Sequence, residues 1–171
     1  MKAKPVQMAG VNPSIFNHYK TLRILVIGDV MLDHYIQADV ERTSPEAPVI
    51  IAAVQSERYV AGGAANVAAN LRAMGAAVLM AGLTGKDENG AQLRSILQEK
   101  NISTALLFPE AGRPTTLKTR IMARGQQILR IDREVKNPPS PNFLKKITAF
   151  LNKKSNRLDG VIISDYAKGL C

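Results

Sequence analysis

Residues 61–85 read AGGAANVAANLRAMGAAVLMAGLTG, and this stretch decides the fold. A glycine pair, Gly62-Gly63, precedes an Ala-rich run over 64–74 with high helix propensity. Gly75 stands where a glycine ends a helix. Residues 78–83, VLMAGL, then form a continuous apolar run, the pattern of a strand buried on both faces. Glycine turn, helix, glycine and buried strand together point to a parallel sheet covered by helices.

The same alternation extends in both directions. Upstream, residues 23–28, RILVIG, are another short apolar run closed by glycine. Downstream, residues 90–100 place Leu93, Ile96 and Leu97 on one helical face, with Asp87 and Asn89 as capping candidates. Residues 102–108 read as a strand. Ser140 caps and Pro141 opens a further helix, whose apolar stripe is Phe143, Leu144, Ile147, Phe150 and Leu151. Residues 160–164, GVIIS, are expected to be a last buried strand.

Two segments do not fit that alternation. Residues 34–38 and 49–55 are strand-like around the turn SPEAP, and residues 115–123 and 126–132 are strand-like around Arg124-Gly125, a hairpin signal. These half-exposed inserts are expected to pair into a small second sheet over one end of the first.

Composition narrows the class of protein. The 171 residues fit one domain, and 46% of them are hydrophobic, enough for a core. With 5% aromatics and no tryptophan, that core is aliphatic. The 23 Lys and Arg against 14 Asp and Glu leave +9, which favours an anionic partner or simply a solvated basic surface. Nucleic acid is disfavoured, since there is no dense Lys/Arg run and no aromatic interleaving. Cys171, the single cysteine, permits no internal disulfide. With no apolar leader at the N-terminus, this points to a soluble cytoplasmic protein.

Ligands of an open α/β sheet bind at the carboxyl ends of its strands. That rule selects GDVMLD (Asp29, Asp33), GGAAN (Gly62, Gly63, Asn66), LTGKD (Thr84, Gly85, Asp87) and SDYAKG (Ser164, Asp165, Tyr166, Lys168). Two glycines before a helix let a ligand approach free N–H groups, or serve only to pack helix on strand. Asp33 can accept two hydroxyls, or stand as a solvated loop carboxylate. Asp87 reads as a helix cap. Asp165 and Lys168 leave one strand end together, a pairing useful to phosphate and metal chemistry. In the second insert Lys118, Arg120 and Arg124 share parity, a row of cations able to grip a phosphate or an ordinary charged face. His18 and His34 have no partner pattern and read as surface or loop residues.

Together these motifs resemble the ribokinase-like (PfkB) carbohydrate kinase family. Its first signature matches Gly62-Gly63-Ala64-Ala65-Asn66-Val67-Ala68, followed by Gly75 and Gly85 at the family spacing. More narrowly, GDVMLD, RTSPEAPV, GGAANVA, LTGKD and SDYAKG, in this order, are similar to the kinase domain of bacterial D-glycero-β-D-manno-heptose 7-phosphate kinases, often fused to an adenylyltransferase. The resemblance implies a three-layer α/β/α fold with a small β-lid, here truncated before its C-terminal half. It implies a flexible extension over residues 1–21, a kinase portion over 22–171, and lid inserts near 34–60 and 112–132. It also implies transfer of the ATP γ-phosphate, with Mg²⁺, to the anomeric hydroxyl of the sugar phosphate, in lipopolysaccharide precursor synthesis.

By resemblance Asp33, Gly62, Gly63 and Asn66 hold sugar hydroxyls, Asp165 lies on the substrate side of the transfer site, and Lys168 lies near its anions. Lys118, Arg120 and Arg124 are the candidates for the existing phosphate on charge and parity alone. The family's second signature, a Gly-Ala-Gly-Asp turn carrying the catalytic base, occurs nowhere in the sequence, nor does most of the ATP pocket. No catalytic residue is therefore assigned. The chain alone is expected to be inactive or a sugar-phosphate-binding module, with an open sheet edge. Its expected partners are the sugar phosphate, a second copy through the lid, or a missing C-terminal half.

Overall fold

A computed structural model describes residues 15–170. The chain forms α1 (Ile15–Tyr19), β1 (Arg23–Gly28), β2 (Val30–Thr43), β3 (Ile50–Gly63), α2 (Ala64–Ala73), β4 (Ala77–Gly85), α3 (Glu88–Glu99), β5 (Ser103–Glu110), β6 (Leu117–Ala123), β7 (Gln126–Arg133), α4 (Pro141–Lys154) and β8 (Gly160–Ser164). Of the expected extension over 1–21, residues 1–14 lie outside the described residues. Its described part includes α1 and is not loose throughout.

The body is a parallel sheet in the order β5-β4-β1-β8. Successive side chains of β1 go to opposite faces. Ile24 and Val26 join Val78, Met80, Ala68, Leu71, Leu93 and Leu97 under α2 and α3. Leu25 joins Ala81, Leu83, Leu106, Phe143 and Ile147 under α4. Helices on both faces make three layers, as the alternation requires. α4 starts where expected: the Ser140 hydroxyl accepts the Phe143 N–H, and Pro141 occupies the first turn. Leu144 departs from the expected stripe and is half-exposed, because the helix presents Phe143 and Ile147 to the sheet.

The strand expected at 160–164 forms but is not buried; it is an edge of the sheet, where an open edge was also expected. β8 pairs only with β1, and Val161 and Ile163 are 47% and 69% exposed on the face that α4 covers elsewhere. An apolar run shows what a strand prefers but not whether a neighbour is present.

The two inserts form the second sheet, in the order β3-β2-β6-β7. Its strands are longer than the sequence suggested. β2 and β3 each run 14 residues, with irregular register between Gln37 and Ala38 and between Asp39 and Arg42. Those irregularities break the period-two pattern from which strand length is read. The lid is tied to the body directly: only Asp29 separates β1 from β2, and β3 runs straight into α2. Among the described residues no helix is long and apolar enough to cross a membrane.

Candidate functional site

Asp29 is the centre around which the site is built. It is 5% exposed. Its N–H donates to the Ser164 carbonyl at 3.1 Å, and its carbonyl accepts the Ala64 N–H at 3.0 Å. Its carboxylate accepts N–H groups from Tyr166 (2.9 Å), Lys168 (3.0 Å) and Leu170 (3.3 Å). One residue thus joins the end of β1, the start of α2 and the SDYAKG loop, its backbone holding α2 and its carboxylate holding the loop through charge-assisted hydrogen bonds.

The lid supplies the wall facing that loop. Residues paired in register point to one face of a sheet. Asp33 pairs with Lys118 and Val60, and two residues further out Tyr35 pairs with Arg120 and Arg58. These side chains share the inner face with Gly62, where a Cβ would come within 2.5 Å of Asp33 Oδ2 and 2.8 Å of Met31 Cγ. Gly62 is therefore small so that the Asp33 carboxylate can lean across it. Gly63 has φ +55°, and a Cβ there would meet the Asp29 carbonyl oxygen at 2.5 Å, so the strand-to-helix turn depends on glycine.

Charges on this face are matched closely. Arg120 Nη1 donates to Asp33 Oδ1 at 2.7 Å. Burial works against the Arg120 charge, but the Asp33 hydrogen bond and charge hold its pKa above the ordinary value. Lys118 Nζ donates to Asp132 at 3.2 Å, and Lys168 Nζ to Glu134 Oε1 at 2.8 Å. Burial would raise the Asp132 carboxyl, yet Lys118 and Arg130 hold it below the usual range. Glu134 Oε2 is enclosed without a hydrogen-bond donor, 3.9 Å from Lys118 Nζ. Glu134 thus lies between a lysine of the lid and a lysine of the body loop.

The expected site residues are brought together unevenly. Asp33, Gly62, Gly63, Lys118, Arg120 and Lys168 surround the inner lid face and its root. Asn66 is exposed on α2 and lines a groove of about 660 Å³ with Tyr59, Val60, Ala61 and Ile96. Asp165 is exposed, and its carboxylate accepts the Ala167 N–H at 2.7 Å, closing the turn of the loop. Arg124 does not continue the row of Lys118 and Arg120. It sits in the hairpin turn with φ 50°, followed by Gly125 at φ 78°. Positive φ at both central positions is the turn that matches strand twist, so Arg124 serves the turn and leaves the face.

Sequence reasoning selected Asp29 as a strand-end carboxylate without its role as a hub, and it missed Glu134 and Arg58. His34 is not a surface residue. It is 8% exposed on the outer lid face, stacked on Tyr59 at 4.2 Å and bonded to Glu57 Oε2 at 2.7 Å. Asp87 behaves as the cap it was read to be. It accepts from Gly90 N, Thr115 N and Thr115 Oγ1, tying α3 to the segment entering β6. Burial would raise its carboxyl, but the Thr115 and Gly90 hydrogen bonds and the Arg133 charge hold it below the usual range.

The Mg²⁺ implied by the resemblance finds no ready-made cluster of protein ligands: among the described residues no three His, Cys, Asp or Glu side chains converge as metal ligands, and the Asp29 carboxylate is already engaged by three N–H groups.

Comparison with known proteins agrees with this layout. The pattern of the pfkB family carbohydrate kinase matches residues 21–169. The "Bifunctional protein HldE" of Helicobacter pylori (strain Shi470) is 45% identical over 148 residues, 86% of this chain and 32% of that protein. The protein of the same name from Geobacter metallireducens is 43% identical over 157 residues, 92% of this chain and 32% of that protein. The chain spans about a third of the length of these curated relatives. Among solved structures, a carbohydrate kinase from Agrobacterium tumefaciens superposes with a TM-score of 0.58 at 21% identity, over 83% of this chain and 45% of that one. Arabidopsis thaliana ribokinase, solved with ribose and ATP, superposes with a TM-score of 0.54 at 16% identity, over 72% of this chain and 41% of that one. These two likenesses concern the fold alone, which is ribokinase-like. With a lid that folds back on Asp29, a glycine pair leading into a helix, and a family pattern that covers nearly the whole described region, the chain belongs to the pfkB family of carbohydrate kinases.

Proposed function

We propose that this chain is the sugar-holding portion of an ATP-dependent kinase that phosphorylates D-glycero-β-D-manno-heptose 7-phosphate at its anomeric hydroxyl. The observation that carries the reading is the Asp33 carboxylate leaning over Gly62 on the inner lid face. One oxygen is held by Arg120, and the other leans over a glycine, where a sugar hydroxyl can donate to it. The SDYAKG loop, fixed by Asp29, faces the same space with Lys168. The similarity to two proteins named HldE and the ordered motifs support the heptose substrate.

The proposed division of labour is positional. Phosphoryl transfer depends on holding the acceptor in line and stabilising spreading charge. Asp33 and the Gly62-Gly63 turn orient the sugar, and Lys168 lies where anionic oxygens gather. A base and a nucleotide pocket complete the reaction, and the sequence contains no Gly-Ala-Gly-Asp string to supply them. We infer that the isolated chain binds the sugar phosphate without turning it over. The outer lid face, with Tyr59, Leu129 and Ile131 exposed, suits a second copy of the chain.

Titration calorimetry of the purified chain tests the reading. Saturable binding of heptose 7-phosphate, with no ADP produced from added ATP, is the expected result. Absence of binding removes the sugar reading, and ATP-dependent turnover removes the claim that the chain is inactive alone.

A further inference from the structure

The inner lid face is organised in rows. The row nearest the body carries Asp33 and Lys118, and the next row carries Arg58, Tyr35 and Arg120. Rows two residues apart along a strand are separated by about 7 Å. In the outer row the Arg58 guanidinium lies 4.6 Å from the centre of the Tyr35 ring, and that of Arg120 lies 5.2 Å from it. Two cations thus share one aromatic ring.

Their charges are balanced differently. Arg120 is paired with Asp33, Lys118 with Asp132, Lys168 with Glu134 and Arg130 with Asp132. Arg58 is exposed, and no carboxylate pairs with it among the described residues. Glu57, next in sequence, belongs to the opposite face and is taken by His34. Among the described residues Arg58 is thus a guanidinium of the inner face in contact with no carboxylate, one row beyond the carboxylate assigned to the sugar ring. Guanidinium groups match phosphate with paired N–H donors, and an aromatic ring beneath them limits the freedom lost on binding.

We propose that Arg58, with Arg120 across Tyr35, is the residue that recognises the phosphate already present on the sugar substrate. The assignment rests on the sugar-kinase reading above and sharpens it. Asp33 and Gly62 hold the ring hydroxyls. The exocyclic chain of the sugar runs outward along the lid, and its phosphate ends on the Arg58–Tyr35–Arg120 row. Lys118 and Lys168, both facing Glu134, stay at the opposite, transfer end. A ligand in this pose is an aldose phosphate ester with its phosphate remote from the anomeric carbon. Sugars without that phosphate leave Arg58 without its anion.

The test uses the whole chain and three probes: D-glycero-D-manno-heptose 7-phosphate, the dephosphorylated heptose and inorganic phosphate. The arginine Nε–H resonances of Arg58 and Arg120 are followed by NMR, and affinities by calorimetry. The phosphorylated heptose should bind more tightly than the free heptose, and Arg58→Met should cut that advantage about tenfold, the usual consequence of losing a hydrogen bond to a charged group. Arg58→Lys should restore part of it. The proposal is overturned if inorganic phosphate and heptose 7-phosphate both leave the Arg58 and Arg120 resonances unmoved. It is also overturned if Arg58→Met weakens the two heptoses equally. If inorganic phosphate moves both resonances while neither heptose binds, the anion site stands and the sugar-kinase reading falls.

Discussion

The buried carboxylate of Asp29 accepts the backbone N–H of Lys168 at 3.0 Å, joining residues 139 positions apart. The same oxygen accepts from Tyr166, and its neighbour accepts from Leu170. Replacing Asp29 by Ala leaves three N–H groups without their acceptor. It should cost about 3 kcal/mol of stability, the penalty for stranding buried donors of a charged acceptor. Chemical denaturation measures the loss, and amide exchange should show faster opening at Tyr166, Lys168 and Leu170. Unchanged protection at those amides would remove Asp29 from its role as the loop's anchor.

The two adjacent glycines should respond differently to alanine. At Gly62 the new Cβ meets side-chain atoms only, the Asp33 carboxylate and Met31 Cγ, and these can shift. The expected cost is about 1 kcal/mol, the lower end for overpacking, with sugar binding weakened because Asp33 is displaced. At Gly63 the Cβ meets backbone, and φ is +55°, so neither obstacle can move cheaply. Here the expected cost is about 3 kcal/mol, from clash and strain together. Thermal melts of the two variants decide the order, and a less stable Gly62→Ala protein would contradict it.

Much of this was legible before the fold was known, and the remainder was hidden for physical reasons. Helix α2 and its closing Gly75 follow from local propensity, and α4 from Ser140 and Pro141. The ends of the lid strands do not, because bulges disturb the alternation and charged residues such as Asp33, Glu57 and Arg58 mimic a loop. His34 has no local partner, and its bond to Glu57 exists only in the antiparallel register of β2 on β3. Arg58 and Glu134 are ordinary surface charges in sequence, and only pairing across strands gives them neighbours. Arg124 leaves the row of Lys118 and Arg120 because strand parity ends at Ala123, one residue before the turn.

Acid should destabilise the protein through carboxylates whose pKa values are lowered by folding. Asp87 is held low by Thr115 and Gly90, Glu110 by Ser140 and Arg113, and Asp132 by Lys118 and Arg130, in each case against the opposing effect of burial. A lowered folded-state pKa gives stability that is present above the unfolded value, about 4 for such groups, and lost as pH falls through the folded value. Stability should therefore decline from about pH 4 downward. Asp87→Asn should flatten that decline when denaturation midpoints are compared between pH 5 and 2. An unaltered slope would show that Asp87 titrates alike in both states.

The open edge at β8 should govern solution behaviour. Ile163 is 69% exposed beside Val161 on an edge strand paired on one side only, a template for further strand pairing. Ile163→Lys should reduce concentration-dependent association in light scattering while shifting stability by no more than about 0.5 kcal/mol, as for other surface changes. Association that is indifferent to this change would point to the outer lid face instead.

The parallel pairing of β2 with β6 has a further consequence, for the order of assembly. It joins residues about 85 positions apart, as in the contact of His34 with Thr119, and the chain between them contains β4, α3 and β5. Closing so long a loop is entropically costly until the intervening body has already shortened it. The two hairpins of the lid can form early as local units, but their joining waits for the β4–α3–β5 unit to collapse. Refolding should thus be limited by lid closure, and the inner face that unites Asp33 with Arg120 should be among the last parts of the molecule to exist.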